Sequence, residues 1–277
     1  LNSIGTVTND GTITGTNVYG VYLSNGGTVT NNSTGTISGD QSGVTIYSLG
    51  GAYYGTVVNS GTIKSTGTAG SGDYGVYLKS GGAVINNAGG LIQSDGTALS
   101  IKSFLGTVTN DGTIQSTGGT GTAVYSESYL YLTNGGTSNY NALISGGDYG
   151  IKAAAGASIS NFGTIKADSS GTAGILLQGD SYIGNQGYIY GGYDAVRIDG
   201  AGTVLNKTFG AIVANGGDGV RMYSGFVDNS GFISGHYGVI ASDGSTASTV
   251  TNSGYIDAYH DGGVGVELRG GGSVTNY

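Results

Sequence analysis

Carboxylates are the side chains in this sequence whose chemistry would matter most to an enzyme. Cleavage of a glycosidic bond needs two carboxyl groups at a set separation, yet most of the 17 Asp and Glu residues stand singly between small polar residues. Four of them lie shortly before an alternating apolar segment, where Asp commonly forms turns: Asp73, Asp148, Asp194 and Asp218. We interpret these acids as turn residues and predict no catalytic site.

Metal ligation and pH sensing have few candidates in the sequence. The chain has no Cys and two His. His236 and His260 could stack as a pH-sensitive pair, but exposed turn positions are the simpler interpretation. The stretch GGVGVE at 262–267 partly resembles a calcium-binding glycine-rich motif, although it occurs once and lacks the Asp. We predict neither a metal site nor a cofactor.

The composition excludes two broad functions and favours one class of fold. A net charge of -8 argues against nucleic-acid binding, which needs clustered Lys and Arg. No apolar run approaches the roughly 18 residues of a membrane-spanning helix, so we predict no direct membrane insertion by this segment. The chain is rich in Thr, Val, Ile and Tyr and contains no Pro, a composition that favours β-strands.

Elements that could position side chains follow from an internal repeat. The segment GTVTNDGTI occupies Gly5–Ile13 and returns unchanged at Gly106–Ile114. Its aliphatic-spacer-Asn core recurs 12 times, with 21 to 28 residues between successive copies. Each repeat holds three short segments in which apolar and polar residues alternate, a pattern typical of half-buried strands.

Strands this short cannot bury a face alone, but they can if successive repeats stack about 4.8 Å apart. The sequence therefore predicts an all-β fold, a right-handed parallel β-helix with three strands per coil and about eleven coils. We treat residues 1–277 as a single domain, and as a segment of a longer solenoid. Eleven coils would make a rod about 50 Å long.

The recurring asparagines fall on the same side as the preceding aliphatic residue, at the end of a strand. Buried polar groups need hydrogen-bond partners, so we interpret the column as an internal ladder that bonds neighbouring coils and the turn backbone. It comprises Asn9, Asn31, Asn59, Asn86, Asn110, Asn134, Asn161, Asn185, Asn206, Asn229, Asn252 and Asn276.

Three motifs of the repeat, VxNxGxI, YGVxL and GGxVxN, resemble the passenger repeats of bacterial autotransporter adhesins of the self-associating and diffuse-adherence kind. The resemblance covers essentially the whole chain. It implies a β-helical passenger domain located outside the cell, at the bacterial surface. It also implies a partner that is another copy of the chain or a glycan or protein on a cell surface.

An outward-facing column supplies the predicted contact surface. The residue before each second-segment isoleucine points outward, because neighbours on a strand face opposite sides. It is mostly Thr in early repeats and largely aromatic in later ones, with a break at Ala211. We predict that an aromatic strip binds a partner, and it consists of Tyr188, Tyr190, Phe232 and Tyr255.

Two longer connections are further candidates, because long loops of solenoids often carry function. They are GGTSNYNAL, which follows Asn134, and YSLGGAYYG, which begins at Tyr47. Taken together, these features favour a rigid extracellular rod for adhesion or self-association, with a homo-oligomer or filament as one outcome. Two alternatives stay open: a polysaccharide-degrading β-helix enzyme, which an acid pair in a cleft would favour, and the subunit of a self-assembling fibre.

Overall fold

Every regular element described by the computed structural model is a β-strand. The described residues are 4–48, 54–67, 72–242, 245–259 and 262–277, so His260 and residues 49–53 of the YSLGGAYYG stretch lie outside them. Within the described residues, no helix has the length and apolarity that a membrane crossing requires.

Each coil contributes three strands, called here the first, second and third strands in chain order. The first strands are Gly5–Asn9, Gly27–Asn31, Gly55–Asn59, Gly82–Asn86, Gly106–Asn110, Leu130–Asn134, Ala157–Asn161, Ser181–Asn185, Ser248–Asn252 and Gly272–Asn276. The second strands are Thr12–Gly15, Thr36–Gly39, Thr62–Ser65, Leu91–Ser94, Thr113–Ser116, Leu143–Gly146, Thr164–Ala167, Tyr188–Gly191, Ala211–Ala214, Phe232–Gly235 and Tyr255–Ala258. The third strands are Tyr19–Leu23, Ser42–Ile46, Tyr74–Leu78, Thr97–Ile101, Thr122–Ser126, Tyr149–Ala153, Ala173–Leu177, Tyr237–Ala241 and Val264–Leu268.

Two longer strands, Asp194–Asn206 and Val220–Asn229, each join the third strand of one coil to the first strand of the next. Through them the first and third strands belong to one 21-stranded sheet, while the second strands form an 11-stranded sheet, counted over the described residues. Corresponding strands of successive coils pair in parallel with like residues opposite, as Ile13 pairs with Ile37.

This arrangement confirms the predicted all-β parallel β-helix of about eleven coils. Three strands per coil account for the described elements. Connections between parallel strands of one sheet are right-handed in about 98% of cases, and the coils are consistent with that sense. The repeat thus reflects stacking, because each coil must match the coil beneath it.

The core runs as a narrow column along the inside of the coils. Aliphatic residues of all three strands meet there, as Val29, Ile37 and Val44 do in a single coil, all with no exposed surface. Fully burying a side chain of this kind contributes roughly 1.5–3 kcal/mol relative to leaving it exposed. The alternation therefore turns one face of each strand towards this column and the other face outward.

Glycine opens several first strands because the backbone there adopts a φ that other residues rarely reach. The angle is 137° at Gly27, 136° at Gly82 and 139° at Gly225. A Cβ on Gly27 would lie 2.2 Å from the carbonyl oxygen of Gly5 in the preceding coil. A side chain at this position would force neighbouring coils apart.

Candidate functional site

The twelve asparagines form one continuous column of hydrogen bonds at the end of the first strands. From Asn9 to Asn276, each side-chain amide Nδ2 donates to Oδ1 of the asparagine in the next coil, at 2.7 to 2.9 Å. The amide of Asn110 also donates to the carbonyl oxygens of Gly112 and Leu143, each at 3.2 Å. The column joins coils to each other and to the following turn.

Two of the predicted turn acids, Asp194 and Asp218, lie on adjacent coils and are buried, and the structure makes Asp194 the first residue of a strand. Asp194 Oδ1 accepts a hydrogen bond from the backbone N–H of Asp218 at 2.9 Å, and Asp218 is 3.4 Å from Arg221. Burial raises the pKa of both carboxyl groups. The coils enclose both carboxyl groups, and only 1% of Asp194 is exposed.

His236 and the acids supply no metal centre in the part of the chain that the structure describes. The His236 ring packs edge-on against Tyr237, with ring centroids 4.9 Å apart. Its candidate stacking partner, His260, lies outside the described residues. No group of three or more His, Cys, Asp or Glu among the described residues is placed to hold a metal ion.

The aromatic strip consists of two stacked pairs of rings. Tyr188 and Tyr190 lie on one second strand, with ring centroids 6.3 Å apart and planes 13° from parallel. Phe232 and Tyr255 stack across two adjacent coils at 5.6 Å and 6°. Tyr255 is 61% exposed and Tyr188 is 39% exposed, so each pair presents a ring to solvent.

Ala211 lies between these two pairs, opposite Tyr188 in the preceding coil and Phe232 in the following one. An open groove of about 520 Å³ lies beside Thr164, Tyr188 and Ala211. That volume is within the range of roughly 300–1,000 Å³ typical of ligand pockets. The groove is lined by Tyr140, Phe162, Gly163, Thr164, Gln186, Gly187, Tyr188, Phe209 and Ala211.

Tyr140 reaches the groove from the long connection that follows Asn134. The backbone groups of Gly136 and Asn139 bond to each other at 2.9 and 3.0 Å, which closes a small loop. The side chain of Asn139 donates to the carbonyl oxygen of Asp111 at 2.9 Å and ties this loop to the preceding coil. Tyr140 directly follows Asn139 in the chain and is 59% exposed.

Phe162 and Phe209 enter from the corresponding connections of later coils. The backbone N–H of Phe162 donates to the carbonyl oxygen of Asn134 at 2.8 Å, which sets its position directly after the asparagine column. Phe209 lies in a tight turn closed by a 2.7 Å bond from Gly210 N–H to the carbonyl of Lys207. Phe209 is 88% exposed, so nearly all of this large apolar side chain is in contact with water.

The groove combines apolar walls with unused hydrogen-bonding groups and no charge. The nine lining residues include no Asp, Glu, Lys, Arg or His. Burial raises the pKa of Tyr188, which keeps its hydroxyl group protonated at neutral pH. Among the described residues, the side chains of Tyr140, Thr164, Gln186 and Tyr188 donate or accept no hydrogen bond. The site can therefore stack a flat apolar surface and bond neutral polar groups.

Sequence reasoning found part of this site. The structure places Tyr188 and Tyr190 together and Phe232 with Tyr255, while the interruption at Ala211 separates the pairs. Tyr140 belongs to the connection GGTSNYNAL, which was a predicted candidate although its ring was not singled out, while Phe162 and Phe209 were not predicted. Aromatic residues in the first-to-second connections of successive repeats were the available signal, although each lies at a different distance from its asparagine.

The fold and this site define a parallel β-solenoid with an aromatic groove along one edge, an architecture consistent with a β-helical passenger domain. Comparison of the chain with protein-family models, curated protein sequences and solved structures finds no match.

Proposed function

We propose that this chain is an adhesive segment of an extracellular protein at the bacterial cell surface, a rod that mediates cell adhesion or self-association. The observation that carries the proposal is the set of exposed, stacked aromatic rings on the outward face of the second strands. Aromatic side chains supply large contact area with little conformational entropy to lose, and they dominate many interfaces.

The solenoid supports this proposal because it is a stiff support. Successive coils hold their outward residues in strict register, so Phe232 and Tyr255 face the same direction on neighbouring coils. Weak contacts repeated along such an edge add up once the first has formed, since the later contacts are made within one complex. The motifs that resemble autotransporter passenger repeats agree with a surface location for the rod.

The test replaces the exposed rings with the residue that early coils carry in the same column, as at Thr12 and Thr36. A triple variant, Tyr188→Thr with Phe232→Thr and Tyr255→Thr, is expected to keep the fold and to lose association. Sedimentation velocity and aggregation of cells displaying the chain would measure the loss, with circular dichroism as the folding control.

A double variant, Phe232→Thr with Tyr255→Thr, leaves Tyr188 and the groove intact. We expect it to weaken association as well, because one stacked pair is removed. Association equal to that of the parent in both variants would show that the rings only cover the sheet.

A further inference from the structure

The groove beside Ala211 differs chemically from the aromatic strip, with which it shares only Tyr188. The strip rings stack on each other, whereas Tyr140, Phe162 and Phe209 make no ring stack within the described residues. These three rings come from three different coils and converge with Tyr188 around one opening. Exposed rings without a partner cost free energy in water, so a surface that keeps them together is a candidate binding site.

We infer that this groove binds a neutral sugar ring, as part of an uncharged glycan. A pyranose has a face of C–H groups that can lie against an aromatic ring and a rim of hydroxyl groups that donate and accept hydrogen bonds. The groove provides both kinds of partner, with apolar walls from Phe162 and Phe209 and unpaired polar groups on Thr164, Gln186 and Tyr140. The inference rests on the proposed adhesive function and names its ligand class.

Charge argues for a neutral glycan over an acidic one. The nine lining residues include no Lys, Arg or His to pair with a carboxylate or sulfate. Lys207 lies in the same turn as Phe209 but does not line the groove. The chain as a whole carries a net charge of -8, which repels polyanions.

Size argues for a small ligand over a second protein surface. Stable protein interfaces use about 20–30 residues on each side, while nine residues line this groove. A ring from another copy of the chain is the competing occupant.

Saturation-transfer difference NMR on the whole chain would measure binding, with cellotetraose, maltotetraose and chitotetraose as neutral probes and tetragalacturonate as the acidic control. We expect transfer from the protein to the C–H protons of at least one neutral probe and none to the acidic control. Phe209→Ser removes an exposed ring and is expected to weaken binding about tenfold or more. Tyr223→Ser, a matched change of a 53% exposed ring that does not line the groove, is expected to leave binding unchanged.

Ala211→Tyr separates this inference from the proposed function. It adds a ring to the lining of the groove and completes the aromatic column between Tyr188 and Phe232. We expect it to abolish sugar binding while self-association of the rod is retained or strengthened. Loss of association in the double strip variant with sugar binding intact would support both proposals.

Three results would overturn the sugar site. One is the absence of transfer to every neutral probe, and another is parental binding in both Phe209→Ser and Ala211→Tyr. The third is concentration-dependent dimerisation that Ala211→Tyr abolishes, which would assign the groove to a ring of a second copy. Circular dichroism of each variant controls for folding, and Phe209→Ser changes a residue that contributes little buried surface.

Discussion

Two columns of side chains run along the same rod and differ in how much their residue type varies from coil to coil. The inner column at the end of the first strands is asparagine in every coil, and each member is held by the next. The outer column before the second-strand isoleucine holds Thr, Leu, Tyr, Ala and Phe in different coils. Both columns are stacked in register. Asn110 pairs with Asn134 in the inner column, and Thr113 pairs with Leu143 in the outer column.

The difference follows from what each position must do. An inner residue has to donate to one coil, accept from another and reach a turn carbonyl, and the asparagine amide meets all three demands. An outer residue has only to suit a strand surface, which many side chains do. Variation on the outside therefore changes the exposed surface while the interior is maintained.

Disrupting the inner column is expected to have the largest effect on stability. Asn110→Leu removes the acceptor of the Asn86 amide and the donor to Asn134, Gly112 and Leu143. Because buried polar groups then lose their partners, we expect the free energy of unfolding to fall by about 1–3 kcal/mol. Asn161→Leu is expected to behave in the same way. Chemical denaturation would measure both changes.

Thr109→Leu is the matched control, because Thr109 precedes Asn110 on the same strand and faces outward. We expect its effect to stay within about 0.5 kcal/mol, as is usual for surface substitutions. An unchanged denaturation midpoint in Asn110→Leu would contradict a stabilising role for the ladder.

A smaller effect on stability is expected at Asp194, a buried carboxyl group at the start of the strand Asp194–Asn206. Burial, opposed by the backbone hydrogen bond from Asp218 and by Arg221 and Arg197, raises the pKa of Asp194 above its unfolded value. The stability linked to its proton is therefore fully present below the unfolded pKa of about 3.9. It is lost as the pH rises through the folded pKa.

Asp194→Asn removes the buried charge at neutral pH, and Asp194 Oδ2 has no hydrogen-bond partner among the described residues to lose. We expect the variant to be more stable than the parent at pH 7, with the difference shrinking as the pH falls towards about 3. Denaturation midpoints across this range would check it, with the outward-facing Asp228→Asn as the control. A variant less stable than the parent at neutral pH would reverse the interpretation.

The smallest effect is expected in the outer column. Thr113→Tyr places in an early coil the ring that later coils carry, beside Leu91 and Leu143. We expect the free energy of unfolding to change by no more than about 0.5 kcal/mol. A loss well beyond that value in chemical denaturation would show that the outer face is as constrained as the inner one.

The fold was accessible from the sequence because a solenoid is built from local rules. Alternation sets which face is buried, and the spacing from Asn9 to Asn31 sets the length of a coil. The aromatic strip was accessible for the same reason, since Tyr188, Phe232 and Tyr255 occupy one position of the repeat. Every feature that keeps a constant place in the repeat could be read in this way.

The groove was not accessible, because its members keep no constant place. Tyr140, Phe162 and Phe209 lie six, one and three residues after their asparagines, in connections of different length. Only the folding of each turn, such as the tie from Asn139 to Asp111, decides how far a ring projects. Only the register between coils places Thr164, Tyr188 and Ala211 side by side in the lining of the groove.

The sequence by itself determined the coil, its stacking and its inner column, because those depend on alternation and repetition that each segment carries locally. The tertiary structure alone decided which outward side chains converge into a site. Convergence depends on the geometry of turns in four coils. One more residue in a turn can move a ring by up to about 3.5 Å, which is comparable with the spacing of about 4.8 Å between coils.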